Sequence, residues 1–416
     1  MSSTTEVLVV GGGPAGMAAA LSALAAGARV TLLERNEKLG KKLYITGKGR
    51  CNVTNLCGRD AFLEQVPRNP RFLNAALDFL SPADLVDWLK RLGCPTVAER
   101  GNRVFPESQK ASDVTRALSG GLAGADVRLG AGVSSLMTEQ GSALGARLDS
   151  GAEIRARAVV VATGGLSYPL TGSTGDGYRF AEQAGHEVTP RSPSLTGLVT
   201  SDAWMREAQG LTLKNVALSA AWPGKGRYRE QGELLFTHYG ISGPLALTLS
   251  SLLSGTDAGQ AQAFIDLKPA LDAATLKARF QKDAAGNGRR RLAGALTAYL
   301  PSSLAALFPG IAGVDGMTVM SQVTAPQRDA LLGLMKRLPV HIAGLRPFSE
   351  AVVTRGGVSV RQVSPSTMSS RLIRGLYFAG EVLDVDAMTG GFNLHIAFAT
   401  GALAGHAAAL YALENN

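Results

Sequence analysis

Gly11-Gly12-Gly13-Pro14-Ala15-Gly16 is the stretch whose residue types and spacing promise chemistry. A short apolar strand, Glu6–Val10, precedes it, and an alanine-rich run, Met17–Ala26, follows. A second strand, Arg29–Leu33, closes on Glu34. This strand–turn–helix–strand spacing suits a dinucleotide. Gly11 permits a tight turn, Gly13 lets the backbone approach a pyrophosphate, and Gly16 lets helix and sheet pack closely. Pro14 and Ala15 open the helix, whose free N–H groups and dipole favour phosphate charge. Glu34 is placed to accept hydrogen bonds from ribose hydroxyls. A glycine-rich turn in an ordinary parallel sheet is the bland alternative, and the flanking strand, helix and acid argue against it.

Further groups that could hold such a cofactor lie downstream. The polar, glycine-rich segment 35–55 can supply backbone N–H groups near Gly49, Cys51 and Asn52, together with Arg35, Lys41, Lys42 and Arg50. The backbone near Val133 can lie against an adenine ring. An apolar strand, Ala158–Ala162, ends in Thr163-Gly164-Gly165, as where flavoproteins with two dinucleotide folds return to the cofactor. Near the chain's end, Gly375–Glu381 reads as a last strand, and Gly390-Gly391-Phe392-Asn393-Leu394 as a turn opening a helix. After Gly380, Glu381 or Asp386 can bond a ribityl hydroxyl. The helix start at Gly391–Leu394 can face the pyrimidine edge of a flavin and stabilise negative charge there. These returning segments favour non-covalently bound FAD over NAD. No second GxGxxG with a following acid exists, so NAD(P)H, if it is the electron donor, must enter the substrate cleft itself. No metal-ligand spacing is present.

Three side chains are candidates for proton or hydride chemistry. Arg50 and nearby N–H groups could lower the pKa of Cys51, although a small residue packed beneath the flavin is the preferred reading. His238, beside Tyr239, can act as acid, base or substrate ligand, with a structural role weighing equally. His395, at the start of the last helix, can contact the flavin edge or the substrate.

The elements that must position these groups occupy a chain of 416 residues, 45% hydrophobic and 18% charged, enough for two or three domains. Residues 72–92 read as helical, Ser112-Asp113-Val114 starts another helix, and 126–129 and 132–137 read as strands. Asp176 is expected to cap a helix running through Phe180. From Pro190 the texture changes. Residues 191–270 and 336–345 are β-rich, with a turn at Pro223-Gly224-Lys225-Gly226, and 271–335 are helical with breaks at Pro301, Pro309-Gly310 and Pro326. The expected organisation is therefore 1–190 and 346–416 as one cofactor domain, interrupted by 191–345.

No apolar run is judged long enough to cross a bilayer, and Met1–Thr5 carries no basic residue of a signal peptide. Cys51, Cys57 and Cys94 show no zinc or CxxC spacing, which fits a reducing, cytoplasmic compartment. The net charge of +9 admits nucleic acid, but the basic stretch 277–291 has few aromatics and reads first as a solvated face. A small-molecule substrate is the expected partner. The oligomeric state is left open.

Seven motifs together resemble the BaiN-like family of bacterial NAD(P)/FAD-dependent oxidoreductases. They are GGGPAG at 11–16, TGKGRCNVTN at 46–55, RVFPESQKASDV at 103–114, ATGGLSYPLTGSTGDGY at 162–178, FTHYGISGP at 236–244, TRGGVS at 354–359 and GLYFAGEVLDVDAMTGGFNLHIAFATG at 375–401. The resemblance implies an α/β, Rossmann-like two-dinucleotide-fold FAD domain with an inserted β-barrel-like domain and a small helical domain. The expected function is that of an FAD oxidoreductase acting on a small organic substrate where the FAD domain meets the insert. The expected reaction is either NAD(P)H-linked reduction of a carbon–carbon double bond or oxidation of a small amine by oxygen. An RNA-binding or RNA-modifying flavoprotein is the alternative from another class. Lys48 and His395 stand where many members carry glycine and glutamine.

Overall fold

Strand β1 (Thr5–Val10) is buried along its whole length, as an apolar run at the centre of a parallel sheet must be. Its one acid, Glu6, accepts from the Arg29 backbone N–H at 2.6 Å and from the Arg29 guanidinium at 3.2 Å. The computed structural model describes residues 5–224 and 226–415. The signal-peptide reading of residues 1–4 and Lys225 of the expected turn fall outside the described residues.

After β1 come α1 (Pro14–Ala25), β2 (Val30–Leu33), β3 (Asp126–Arg128), β4 (Val133–Glu139), β5 (Ser142–Leu148) and β6 (Glu153–Val161). The last strand of this sheet, β13 (Leu376–Phe378), arrives only after the insert. The parallel order is β3-β2-β1-β6-β13, with Val10 opposite both Leu33 and Val161, and Phe378 opposite Val161. One long strand serves two sheets. Glu153–Arg155 of β6 pairs antiparallel with β5, and Ala156–Val161 pairs parallel with β1. Its burial changes at the same point, from alternating to nearly continuous, because the second half is covered on both faces. The carboxyl ends of β1, β2, β6 and β13 therefore open on one edge, where open α/β sheets bind ligands.

The chain divides into two units, Met1–Pro193 with Phe348–Asn416, and Ser194–Pro347. In the second, six strands close an antiparallel barrel. They are β7 (Leu198–Thr200), β8 (Thr212–Trp222), β9 (Gly226–Thr237), β10 (Gly240–Ser242), β11 (Gln262–Asp266) and β12 (Leu338–Leu345). Closure leaves no edge strand. The helices of residues 271–335 belong to this same unit rather than to a separate body. One expected break is corrected: Pro309 lies inside helix α2 (Ser302–Ile311). Pro326 does stand at a break, in the first turn of helix α3 (Ala325–Lys336), where a missing N–H costs nothing. Asp176 is corrected as well: Gly175 is the cap, and the Asp176 carboxylate instead accepts from Arg35 at 2.6 Å.

The final helix, α4 (Phe392–Glu414), is long and apolar enough to cross a membrane, which corrects the reading that no such run exists. Two thirds of its apolar window is buried inside the protein. A Cβ at Gly401 would collide with the Ala15 carbonyl of α1, and one at Gly405 with that of Ala19. The two helices thus meet backbone to backbone, and neither backbone can retreat from a side chain. Replacing Gly405 by Val should lower unfolding stability by about 3 kcal/mol or more, read as a lower urea midpoint. An unchanged midpoint would show that the helices are not in contact there.

Candidate functional site

The first unit holds an elongated cavity along the carboxyl edge of the parallel sheet, with about 1300 Å³ of non-atom space including its mouth. That is ample for a dinucleotide. At its centre lies the turn after β1. Gly11 adopts φ +107°, and a Cβ there would stand 2.5 Å from the Ala162 carbonyl oxygen, so only glycine fits. A Cβ at Gly13 meets nothing within 4 Å and would project into open space. Gly11, Gly13, Pro14 and Ala15 line the cavity, and with them the N-terminus of α1. Gly16 does not line it. A Cβ there would strike the Gly11 carbonyl, so Gly16 closes the turn.

One end is built from β2 and the segments beside it. Glu34 lines the cavity with Arg35, Lys41 and Val133. The Glu34 carboxylate accepts from the Gly12 N–H at 2.7 Å and from the Asn36 N–H at 2.8 Å, which fixes it facing the turn. Thr163 and Gly164 form the wall under the turn. At the other end, Asn393 and Leu394 bring in the first turn of α4, whose N–H groups have no partner within the helix. The Asn393 side chain clamps the preceding loop, accepting from the Ala387 N–H at 2.8 Å and donating to its carbonyl at 2.6 Å. Between the ends, Lys42 pairs with Glu381 at 2.7 Å. Glu381 also accepts from Ser167 at 2.7 Å and from the Thr354 N–H at 2.8 Å. Thr163, on the cavity wall, has a buried Oγ1 with no hydrogen-bond partner among the described residues. Two helix N-termini, an acid at the ribose position and this unpaired hydroxyl fit a long dianionic cofactor such as FAD.

Several candidates lie elsewhere. Cys51 is fully buried off the cavity wall, and burial pushes its thiol up to about 12. That corrects the expectation of a lowered pKa. The supposed activator, Arg50, is taken up by Glu99 and Gln109 and stacks on Phe105, 4.1 Å from the ring centroid. His395 is fully buried too, on the face of α4 turned to Thr54 and Leu80, with each ring nitrogen 3.0 Å from an oxygen. Burial holds its pKa down to about 4, so it is a structural histidine, and it does not line this cavity. Asp386 is buried and bonded by Arg68, which removes it from the ribityl role. Gly49, Asn52, Gly380, Gly391 and Phe392 do not line the cavity; Gly380 and Gly391 are covered by Ala15 and Thr54, and Phe392 is buried. His238 lies exposed in the turn between β9 and β10 of the second unit, edge-on to Tyr239 at 4.9 Å. Sequence reasoning missed Asn36, Leu43, Ser173, Val352 and Ile396 on the wall. Only Asn36, two residues after the ribose acid, carried a readable signal.

Two outcomes follow from this geometry. Replacing Gly13 by Val should leave the unfolding midpoint of the flavin-free protein unchanged while weakening FAD binding at least about 100-fold, about 2.7 kcal/mol. Equal losses of both would mean that Gly13 serves the fold and not the ligand. For His395 the neutral ring is the folded form, so the unfolded chain takes up the proton first. Its contribution is complete above about pH 6.5 and is lost as pH falls toward about 4, amounting to about 3 kcal/mol. A His395→Gln variant should lack that acid-side loss in urea titrations. An identical pH profile would contradict the assignment.

Comparison with known proteins agrees with this geometry. The family model described as "HI0933-like protein Rossmann domain" matches residues 5–407. The chain is 31% identical to a 3-dehydro-bile acid delta(4,6)-reductase of Clostridium scindens, over 96% of this chain and 98% of that one. It is 30% identical to a ribosomal RNA dihydrouridine synthase of Escherichia coli, over 95% and 96%. Among solved structures, a 3-ketosteroid delta1-dehydrogenase of Sterolibacterium denitrificans superposes with TM-score 0.51 at 15% identity, covering 98% of this chain and 99% of that one. Quinol fumarate reductase of E. coli gives 0.52 at 16%, covering 100% and 71%. The α/β flavoprotein fold is thus shared well beyond sequence similarity. The chain belongs to the HI0933-like family of BaiN/YhiN type and is a flavin-dependent oxidoreductase with a Rossmann-type FAD domain.

Proposed function

We propose that the protein reduces a carbon–carbon double bond conjugated to a carbonyl, and that its substrate is a uracil base of ribosomal RNA. The observation that carries the reading is the end-to-end match to relatives with two different substrates and one chemistry. A 3-dehydro-bile acid delta(4,6)-reductase and a dihydrouridine synthase both saturate an alkene in conjugation with a carbonyl. A second dihydrouridine synthase, from Haemophilus influenzae, matches at 29% over 96% of the chain. The charge of +9 favours the polyanionic substrate over the sterol. Taken alone the basic residues read as a solvated face, and these relatives change that weighing.

Bound FAD would supply hydride transfer to the alkene carbon remote from the carbonyl. The chain's own tasks are to hold that cofactor and to deliver one proton to the adjacent carbon. Gly11–Ala15 and Glu34 would bind the pyrophosphate and ribose. The α4 N-terminus, at Asn393 and Leu394, would favour negative charge at the flavin edge. Cys51 and His395 lie buried off this cavity, and the proton donor we propose is His238, an exposed side chain. NAD(P)H is the proposed electron donor, binding and leaving before the substrate enters, because no second nucleotide motif exists.

Anaerobic stopped-flow mixing tests this. NADPH or NADH should bleach the flavin band, and unmodified ribosomal RNA transcript should then restore it, with uridine gaining two hydrogens by mass spectrometry. A His238→Asn variant should bleach normally and slow the restoring step about 100-fold. Restoration by a sterol enone alone, or peroxide released with amines in a parallel aerobic assay, would overturn the reading.

A further inference from the structure

We propose that Lys282, Arg289, Arg290 and Arg291, in the second unit, form a prebuilt docking surface for the sugar–phosphate backbone of the RNA. This rests on the ribosomal RNA reading above. All four side chains are exposed, and none has a carboxylate within 4.0 Å among the described residues. Other cations of the same unit differ. Lys277 pairs with Asp329 at 3.2 Å, Arg279 reaches Asp283 at 4.0 Å, Arg328 meets Asp329 at 3.0 Å, and Lys336 meets Asp266 at 2.7 Å. Cations elsewhere in the second unit are thus neutralised by acids, and these four are not.

The backbone under the patch is pinned. Helix Ala273–Gly286 ends just before it. The Arg290 N–H donates to Asn287 at 2.9 Å, the Met320 N–H to Arg290 at 2.9 Å, the Ser321 N–H to Gly288 at 3.1 Å, and the Leu292 N–H to Thr318 at 2.8 Å. Arg290 Nη2 donates to the Gly294 carbonyl at 2.9 Å, fixing one guanidinium plane and leaving its other donors outward. A held arginine fork matches phosphate bidentately and loses little freedom on binding. Beside Arg291, Met317 is exposed and offers the patch its one apolar contact. That is too little for membrane insertion, which needs a broad apolar face. Lys282 alone lies on the helix, before a last turn that carries no basic residue, so macrodipole compensation, which fades beyond that turn, accounts for none of the four cations.

The test uses the full-length FAD-loaded protein and unmodified ribosomal RNA transcript, with affinity measured across a KCl series. Replacing all four residues by Gln should weaken binding about 100-fold or more at 0.1 M salt and make the log–log salt slope shallower by about 2 to 3, as loss of three or four phosphate contacts requires. Arg289→Gln alone, whose side chain makes no hydrogen bond or ion pair among the described residues, should cost about 5-fold to 8-fold and decides the matter should the quadruple variant melt early. The ion-paired control Lys277→Gln with Arg328→Gln should change affinity by less than about 3-fold. Flavin bleaching by NAD(P)H should be untouched in every variant. An unchanged salt slope in the variants, with the parent still binding RNA and forming dihydrouridine, overturns the surface and spares the substrate reading. Absence of binding by the parent at low salt overturns both. Loss of binding to phosphatidylserine vesicles without loss of RNA binding overturns the RNA assignment of the patch.

Discussion

Helix α4 lies against α1 only because glycine stands at 401 and 405, where the carbonyls of Ala15 and Ala19 leave no room for a Cβ. Side chains of any size would separate the two axes, since interaxial distance follows the residues at the contact. With the helices pressed together, the N-terminus of α4 reaches the same cavity as the N-terminus of α1. Residue 393 thereby shares a wall with residue 13. The register of β6 and β13 against β1 does the complementary work, setting Ala162 against Gly11. Cofactor binding is in this sense a property of backbone packing before it is a property of side chains.

The electrostatics follow the same pattern. The cavity favours an anion through two helix ends more than through free cations. Lys42 is held by Glu381, and Arg35 by Asp176. Pairing of this kind keeps the wall rigid and locally near neutrality, so that the uncompensated dipoles at the two turns decide where charge sits. Of the candidates for chemistry, Cys51 and His395 have strongly displaced pKa values, and both owe the displacement to burial in the core.

Much of this was legible in the sequence, and the failures share a cause. The turn at 11–16, the returning strands at 158–161 and 376–378, and the β-rich insert announce themselves through glycine placement and apolar periodicity, which are local properties. Arg50, His395 and Asp386 were read as site residues because they neighbour glycine-rich motifs along the chain. Their partners, Glu99, Thr54 with Leu80, and Arg68, lie tens to hundreds of positions away. No local pattern records a partner chosen by tertiary packing. Asp176 failed for the same reason, its carboxylate taken by Arg35 from across the fold. Pro309 shows the opposite limit, since a helix already packed around Phe308 and Leu304 carries a proline that its propensity forbids.

The central claim is that one cavity, walled by the first turn and the last helix, is selective for FAD. Calorimetric titration of the flavin-free protein with FAD, repeated in saturating NAD⁺ or NADP⁺, tests it most directly. The account predicts one FAD bound per chain with an affinity that either nucleotide leaves unchanged. Displacement of FAD by NAD⁺ or NADP⁺, or a stoichiometry other than one, would contradict it.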